Sequence, residues 1–193
     1  MAAAAKVTNL TTLSINRAIA AMALPAIGWM VVEGLYHLVD AFWIGKLGAE
    51  PFAAASATSF LLWMLFSFAD LFGIATSTYV AQAVGAKRTD QVPEQLRIAL
   101  IATGLLGAVI ALFFYAIREP VLGLLGLEPN VCALAQDYLL PWLVALPLFF
   151  VARLMGHVFR GLGDARTLMF LMSAALPVNA GLAPCLIDRK SVA

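Results

Sequence analysis

Five long apolar runs constrain this chain more than any other feature. They cover residues 19–44, 52–80, 96–117, 131–158 and 168–187. A helix needs about 20 residues to cross ~30 Å of hydrocarbon, so each run is long enough to span a bilayer. The second and fourth exceed that length, which predicts tilt or extension beyond the hydrocarbon. Lipid offers the backbone no hydrogen-bond partner, so runs of this kind cross as helices. The residues agree: 63% are hydrophobic and 12% charged, against roughly 45–50% apolar and 25% charged in soluble domains. The fold class expected is therefore all-α and integral to the membrane, a polytopic bundle of about five transmembrane helices. A formal net charge of +1 leaves no basic surface for nucleic acid. Cys132 and Cys185 lie far apart without ligand spacing, which reads as two inert thiols rather than a disulfide framework or zinc site. The start, Met1-Ala2-Ala3-Ala4-Ala5-Lys6, does not read as a removable signal peptide.

Lys and Arg placement sets the expected orientation. Lys6 and Arg17 flank the first run, Lys87, Arg88 and Arg97 the second-to-third connection, and Arg153, Arg160 and Arg166 the fourth-to-fifth. The opposite side carries only Lys46 and Arg118. That bias predicts a cytoplasmic N-terminus. With five spans the tail Asp188-Arg189-Lys190 falls on the outer side, against the same rule. The two outer connections, Leu47-Gly48-Ala49-Glu50-Pro51 and Leu125-Gly126-Leu127-Glu128-Pro129, resemble each other. Gly suits a helix end and Pro the first turn of the next helix, so two similar helical hairpins are expected. In Arg160-Gly161-Leu162-Gly163-Asp164, glycine permits a tight reversal and Asp164 suits the N-cap of the fifth helix.

Ionisable residues inside the runs are the functional clue. Glu33, His37 and Asp40 follow i, i+4, i+7 spacing and share one helix face. A charge facing lipid near the bilayer centre costs roughly 2.5–3.5 kcal/mol, so such groups turn toward a cavity or another helix and mark ion, proton or substrate pathways. Phe42 and Trp43 read as an outer aromatic belt with Asp40 just beneath it. Glu33 lies seven residues deeper, about 10 Å along the axis. Tyr36 borders the same face and can stack on a ligand or anchor a helix contact. His37 could relay protons or hold a neutral hydrogen bond. No second ligand cluster joins these three, so no metal site is expected. Asp70 is a further intramembrane acid whose role the sequence leaves open. Pro177-Val178-Asn179 sets a helix breaker beside an amide in the fifth run, which suits a kinked, cavity-lining helix.

Several segments together resemble the multidrug and toxic compound extrusion (MATE) family, particularly its DinF-like branch. They are Ala23-Leu24-Pro25-Ala26-Ile27, Val39-Asp40-Ala41-Phe42-Trp43-Ile44-Gly45-Lys46-Leu47-Gly48-Ala49, Ala81-Gln82-Ala83-Val84-Gly85-Ala86, Phe159-Arg160-Gly161-Leu162-Gly163-Asp164-Ala165-Arg166-Thr167 and Pro177-Val178-Asn179. Their order and spacing over roughly residues 15–182 carry the resemblance. It implies a multi-pass protein of the plasma (inner) membrane, not an enzyme. Its activity would be secondary antiport, exporting small organic, often cationic, compounds in exchange for Na+ or H+ and needing no other cofactor. Residues 1–187 would then form most of one six-helix lobe, the N-terminal one, with a C-terminal lobe as partner, and residues 188–193 a short polar tail, truncated or altered. The resemblance assigns cation coupling to Asp40, with Asn179 as a polar partner in the fifth helix, and places Glu33, Tyr36 and His37 along the substrate cavity. One departure stands out: the acid that the branch usually carries four residues after the Asn is here Ala183.

Three alternatives remain at this point. A lipid-linked oligosaccharide flippase shares the architecture but calls for a more cationic cavity. A membrane enzyme could use Glu33, His37 and Asp40 as acid–base groups, without a nucleophile or metal at matching spacing. A membrane assembly module that transports nothing would tolerate neutralising all three. The 193-residue chain by itself is expected to transport little, because half the cavity wall would be absent.

Overall fold

A computed structural model describes residues 14–188, apart from the side chains of Met172, residues 178–180 and residues 182–188 in the last helix. Asn179 and Ala183 therefore lie on a described backbone, but their side chains fall outside the described residues, as do residues 1–13 and 189–193.

Five long helices follow in order: α1 (Ile15–Gly45), α2 (Ala49–Gly85), α3 (Val92–Leu124), α4 (Pro129–Gly161) and α5 (Ala165–Asp188). Each contains one of the five apolar runs and extends past it by a few residues. The first four are long and apolar enough to cross a membrane, and α5 is apolar from Ala165 to Pro177. The chain is a multi-pass membrane protein.

The helix ends follow the turn chemistry. Pro129 opens α4 at its first position, where its missing N–H costs no helical bond. Gly126 sits at φ +64° just past the end of α3, a conformation that glycine alone adopts without steric cost. The other outer connection differs in detail: Gly48, at φ +116°, is the N-cap of α2 rather than the residue closing α1. At α4's end the N–H of Asp164 donates to the Phe159 carbonyl at 2.9 Å and that of Gly163 to the Arg160 carbonyl at 3.0 Å, a Schellman closure. The Asp164 carboxylate then caps α5, accepting from the Thr167 N–H at 3.1 Å and its hydroxyl at 2.7 Å.

Packing divides the bundle. α2 lies most extensively on α4, α3 on α4, and α1 on α5. The core sits between α2, α3 and α4, where Leu62, Leu65, Phe114, Leu143, Leu146 and Phe150 interlock. α2 and α4 run in the same direction, since Asp70 meets Arg153, Gly73 meets His157 and Ser77 meets Gly161. α3 runs against them, with Gly107 pressed on the backbone of Pro147. α1 buries only Pro25 fully. Its face from Leu24 to Leu38 exposes Leu24, Ile27, Val31 and Leu38.

Candidate functional site

The α1 column survives in part. Glu33, Tyr36 and Asp40 are half-buried on one face, while His37 stands on the exposed side. Helical geometry explains the split: at 100° per residue, 33, 36 and 40 fall within about 60° of arc and 37 lies beyond its edge. Trp29 belongs to the same arc, one turn below Glu33. What this arc faces is α4. The Arg160 guanidinium lies over the Trp29 ring at 5.5 Å, and Glu33 is within its electrostatic reach. Farther along, Asp40 acts electrostatically on Tyr138 of α4, whose hydroxyl interacts with the Trp142 indole. Both Tyr36 and Asp40 engage neighbouring groups.

Between these contacts, α4 carries a second constellation that the sequence reading did not assemble. Arg153 grips Asp70 of α2 with two parallel bonds, Nε to Oδ1 at 3.0 Å and Nη2 to Oδ2 at 2.8 Å. His157 Nε2 lies 2.9 Å from the same Oδ1. Paired bonds of this kind are the strong, geometrically specific form of an ion pair. The side chains are 30% exposed for Asp70, 27% for Arg153 and 12% for His157. Gly73, one turn after Asp70, makes the seat: an added Cβ there would meet the His157 ring at 2.6 Å from Cγ. Phe66 and Phe149 stack one turn away at 4.2 Å, each 6.0 Å from Trp142. Arg153 also lies 6.0 Å over the Phe66 ring.

Arg153 thus belongs to α4 itself, eight residues before its end at Gly161, or about 12 Å inside the helix. The sequence reading counted it with the connection. Asp70 gains the partner that an intramembrane acid calls for. The signal was present in the spacing: Arg153 and His157 stand at i, i+4, on one helix face, and Asp70 with Gly73 at i, i+3 offers an acid beside a gap.

A small cleft of about 80 Å³ opens between α1, the end of α4 and the start of α5, lined by Pro25, Trp29, Met30, Arg160 and Leu168 among others. It continues the same arc toward the end of the bundle where α4 finishes.

The MatE family model matches residues 25–185. This chain belongs to that family. Among its relatives, the FAD transporter of Shewanella oneidensis is 32% identical over 180 residues, covering 93% of this chain and 40% of that protein. The probable multidrug resistance protein NorM of Rhodopseudomonas palustris is 35% identical over 148 residues, 75% of this chain and 30% of its own length. Of the solved structures, one described as a MOP superfamily transporter from Pyrococcus furiosus with reversed binding-pocket polarity matches with TM-score 0.84 at 26% identity. An outward-facing MATE transporter matches in fold, with TM-score 0.86 at 24% identity. Each match covers 93% of this chain and 40% of the solved one. The five MatE helices therefore take the fold of a MATE transporter lobe, and the chain spans 30% to 40% of the length of these relatives. The α1 arc and the α4 wall thus lie on the fold of a MATE transporter lobe.

Proposed function

We propose that this chain forms a lobe of a secondary active antiporter that exports small organic, often cationic, compounds in exchange for Na+ or H+. The observation that carries the reading is the inward arc of α1. Glu33, Tyr36 and Asp40 turn away from the exposed side of the helix and toward α4. Asp40 is the coupling acid in this reading, Asn179 its partner on α5, and Glu33 and Tyr36 line the cavity, while His37, on the exposed side of α1, takes no part in it. Cation arrival at Asp40 neutralises the acid, so the α1–α5 pair repacks and the cavity loses affinity for its cargo. This is population shift by differential affinity. Relatives named multidrug resistance proteins support organic cargo.

One relative named FAD transporter, together with Arg153 and Arg160 beside aromatic rings, favours a second reading in which the cargo is an anionic aromatic compound. Binding distinguishes the two. The chain in lipid nanodiscs is titrated with a fluorescent aromatic cation, then with FAD. On the first reading the cation binds, Na+ or protons weaken it several-fold, and Asp40→Asn abolishes that competition. Unchanged competition in Asp40→Asn removes Asp40 from coupling, and binding of FAD alone selects the second reading.

A further inference from the structure

The acids of α1 do not account for His157. Its ring sits on α4, 12% exposed, in a notch that only glycine at position 73 leaves open. One nitrogen is committed. Asp70 already receives two bonds from Arg153, and a carboxylate in that state only accepts. The His157 nitrogen 2.9 Å from Oδ1 must therefore carry a hydrogen. Neutral His157 is then the Nε2–H tautomer, and Nδ1 keeps its lone pair.

We propose that His157 is a proton-binding site of this lobe, on the α2–α4 contact and separate from Asp40. A solvent proton adds to the Nδ1 lone pair. The Nε2–H bond to Asp70 persists, and imidazole becomes imidazolium without a change of contact partner. The charged groups acting on the ring are Asp70 from α2 and Arg153 and Arg160 on α4. Two arginines against one acid already leave one positive charge in excess. Protonation of His157 adds a second beside the aromatic wall of Phe66 and Trp29. Organic cations are then repelled, and organic anions attracted. That consequence rests on the transporter reading above; the proton site itself does not. Histidine is the side chain whose ordinary charge change falls between about pH 5 and 8, which sets the range to be searched.

The chain carries two histidines, which makes the test clean. The full chain, labelled with 15N-histidine, is placed in nanodiscs as the His37→Gln variant, leaving His157 as the sole signal. The assignment is repeated by subtraction, comparing unsubstituted chain with His157→Gln. The expected result is a single Nε2–H tautomer at high pH and reversible protonation of Nδ1 between about pH 5 and 8. Asp70→Asn is expected to abolish the single tautomer, because an amide can also donate. A ring that stays neutral down to pH 5, or charged up to pH 8, overturns the proposal. These spectra need no transport or cargo binding. Failure of the antiport reading, seen as dye binding to the unsubstituted chain that neither Na+ nor protons weaken, is therefore a separate outcome.

Discussion

Gly73 decides whether the Asp70–His157 contact can exist. Any Cβ at that position meets the imidazole ring well inside van der Waals distance, and the ring is tied to Asp70 and cannot slide away for free. Gly73→Ala is expected to cost about 1–3 kcal/mol, the range for overpacking a filled site, and to displace His157 from Asp70. SDS-titration unfolding measures the first effect and the His157 tautomer reports the second; a fully stable variant with an unchanged ring would contradict the packing. Arg153 and Asp70 should also depend on each other. In a cycle of Asp70→Asn, Arg153→Gln and the double variant, the coupling is expected between about 0.5 and 3 kcal/mol. Additive single effects would mean that the paired bonds contribute nothing. Asp70 was visible in the sequence as an acid in need of a partner. Arg153 was not visible as that partner, because counting cations for orientation assigns every Arg near a span end to a connection. Asp40, Glu33 and Tyr36 were legible from period alone, and the same period puts His37 at the edge of their arc.

At the scale of helices, the contrast between α2 and α4 is informative. Both close with the same pair of bonds. At α2 the N–H of Arg88 donates to the Ala83 carbonyl at 2.9 Å and that of Lys87 to the Val84 carbonyl at 3.1 Å. The residue in the left-handed conformation is Gly163 after α4, but Lys87, at φ +57°, after α2. A side chain there carries a steric penalty of roughly 1 kcal/mol. Lys87→Gly is therefore expected to stabilise the chain by about 0.5–1 kcal/mol, part of the gain being offset by the freer unfolded backbone. Asp164→Ala works in the other direction, costing about 1 kcal/mol through the lost cap of α5. The same unfolding titration reads both, and a destabilised Lys87→Gly would show that the lysine itself makes a contact worth more than its strain. Helix extents and the Gly163–Asp164 reversal were legible because Gly, Pro and Asp announce helix ends chemically. Lys87 was not, since nothing about a lysine signals positive φ; its conformation is imposed by the closure of α2.

Over the whole molecule, two kinds of helix contact coexist. α2 and α4 meet where Gly161 lies against the Ser77 backbone, 2.6 Å from its carbonyl oxygen to the position a Cβ would take, and α3 meets α4 where Gly107 faces the Pro147 backbone at 2.8 Å by the same measure. Backbone cannot give way, so these are fixed seams. α1 meets α5 differently. The atom facing Gly28 is the Met169 sulfur, the tip of an unbranched chain that repacks easily. α1 also buries only Pro25 fully, and it touches the α4 wall through long side chains, Arg160 with Trp29 and Glu33, rather than through close helix packing. Motion in the lobe is therefore expected between α1–α5 and α2–α4, not within the latter. Pulsed electron–electron distances test this in nanodiscs, with cysteine pairs introduced at exposed positions, Leu38 with Val144 across the two units and Trp63 with Val144 within one. Raising Na+ or lowering pH is expected to shift or broaden the Leu38–Val144 distance and leave Trp63–Val144 narrow. The background thiols Cys132 and Cys185 are first replaced by serine. A Trp63–Val144 distance that moves as much as the other would locate the flexible seam inside the core. Cation binding on α1 would then have to act by prying apart glycine-on-backbone contacts, the costliest rearrangement this packing offers.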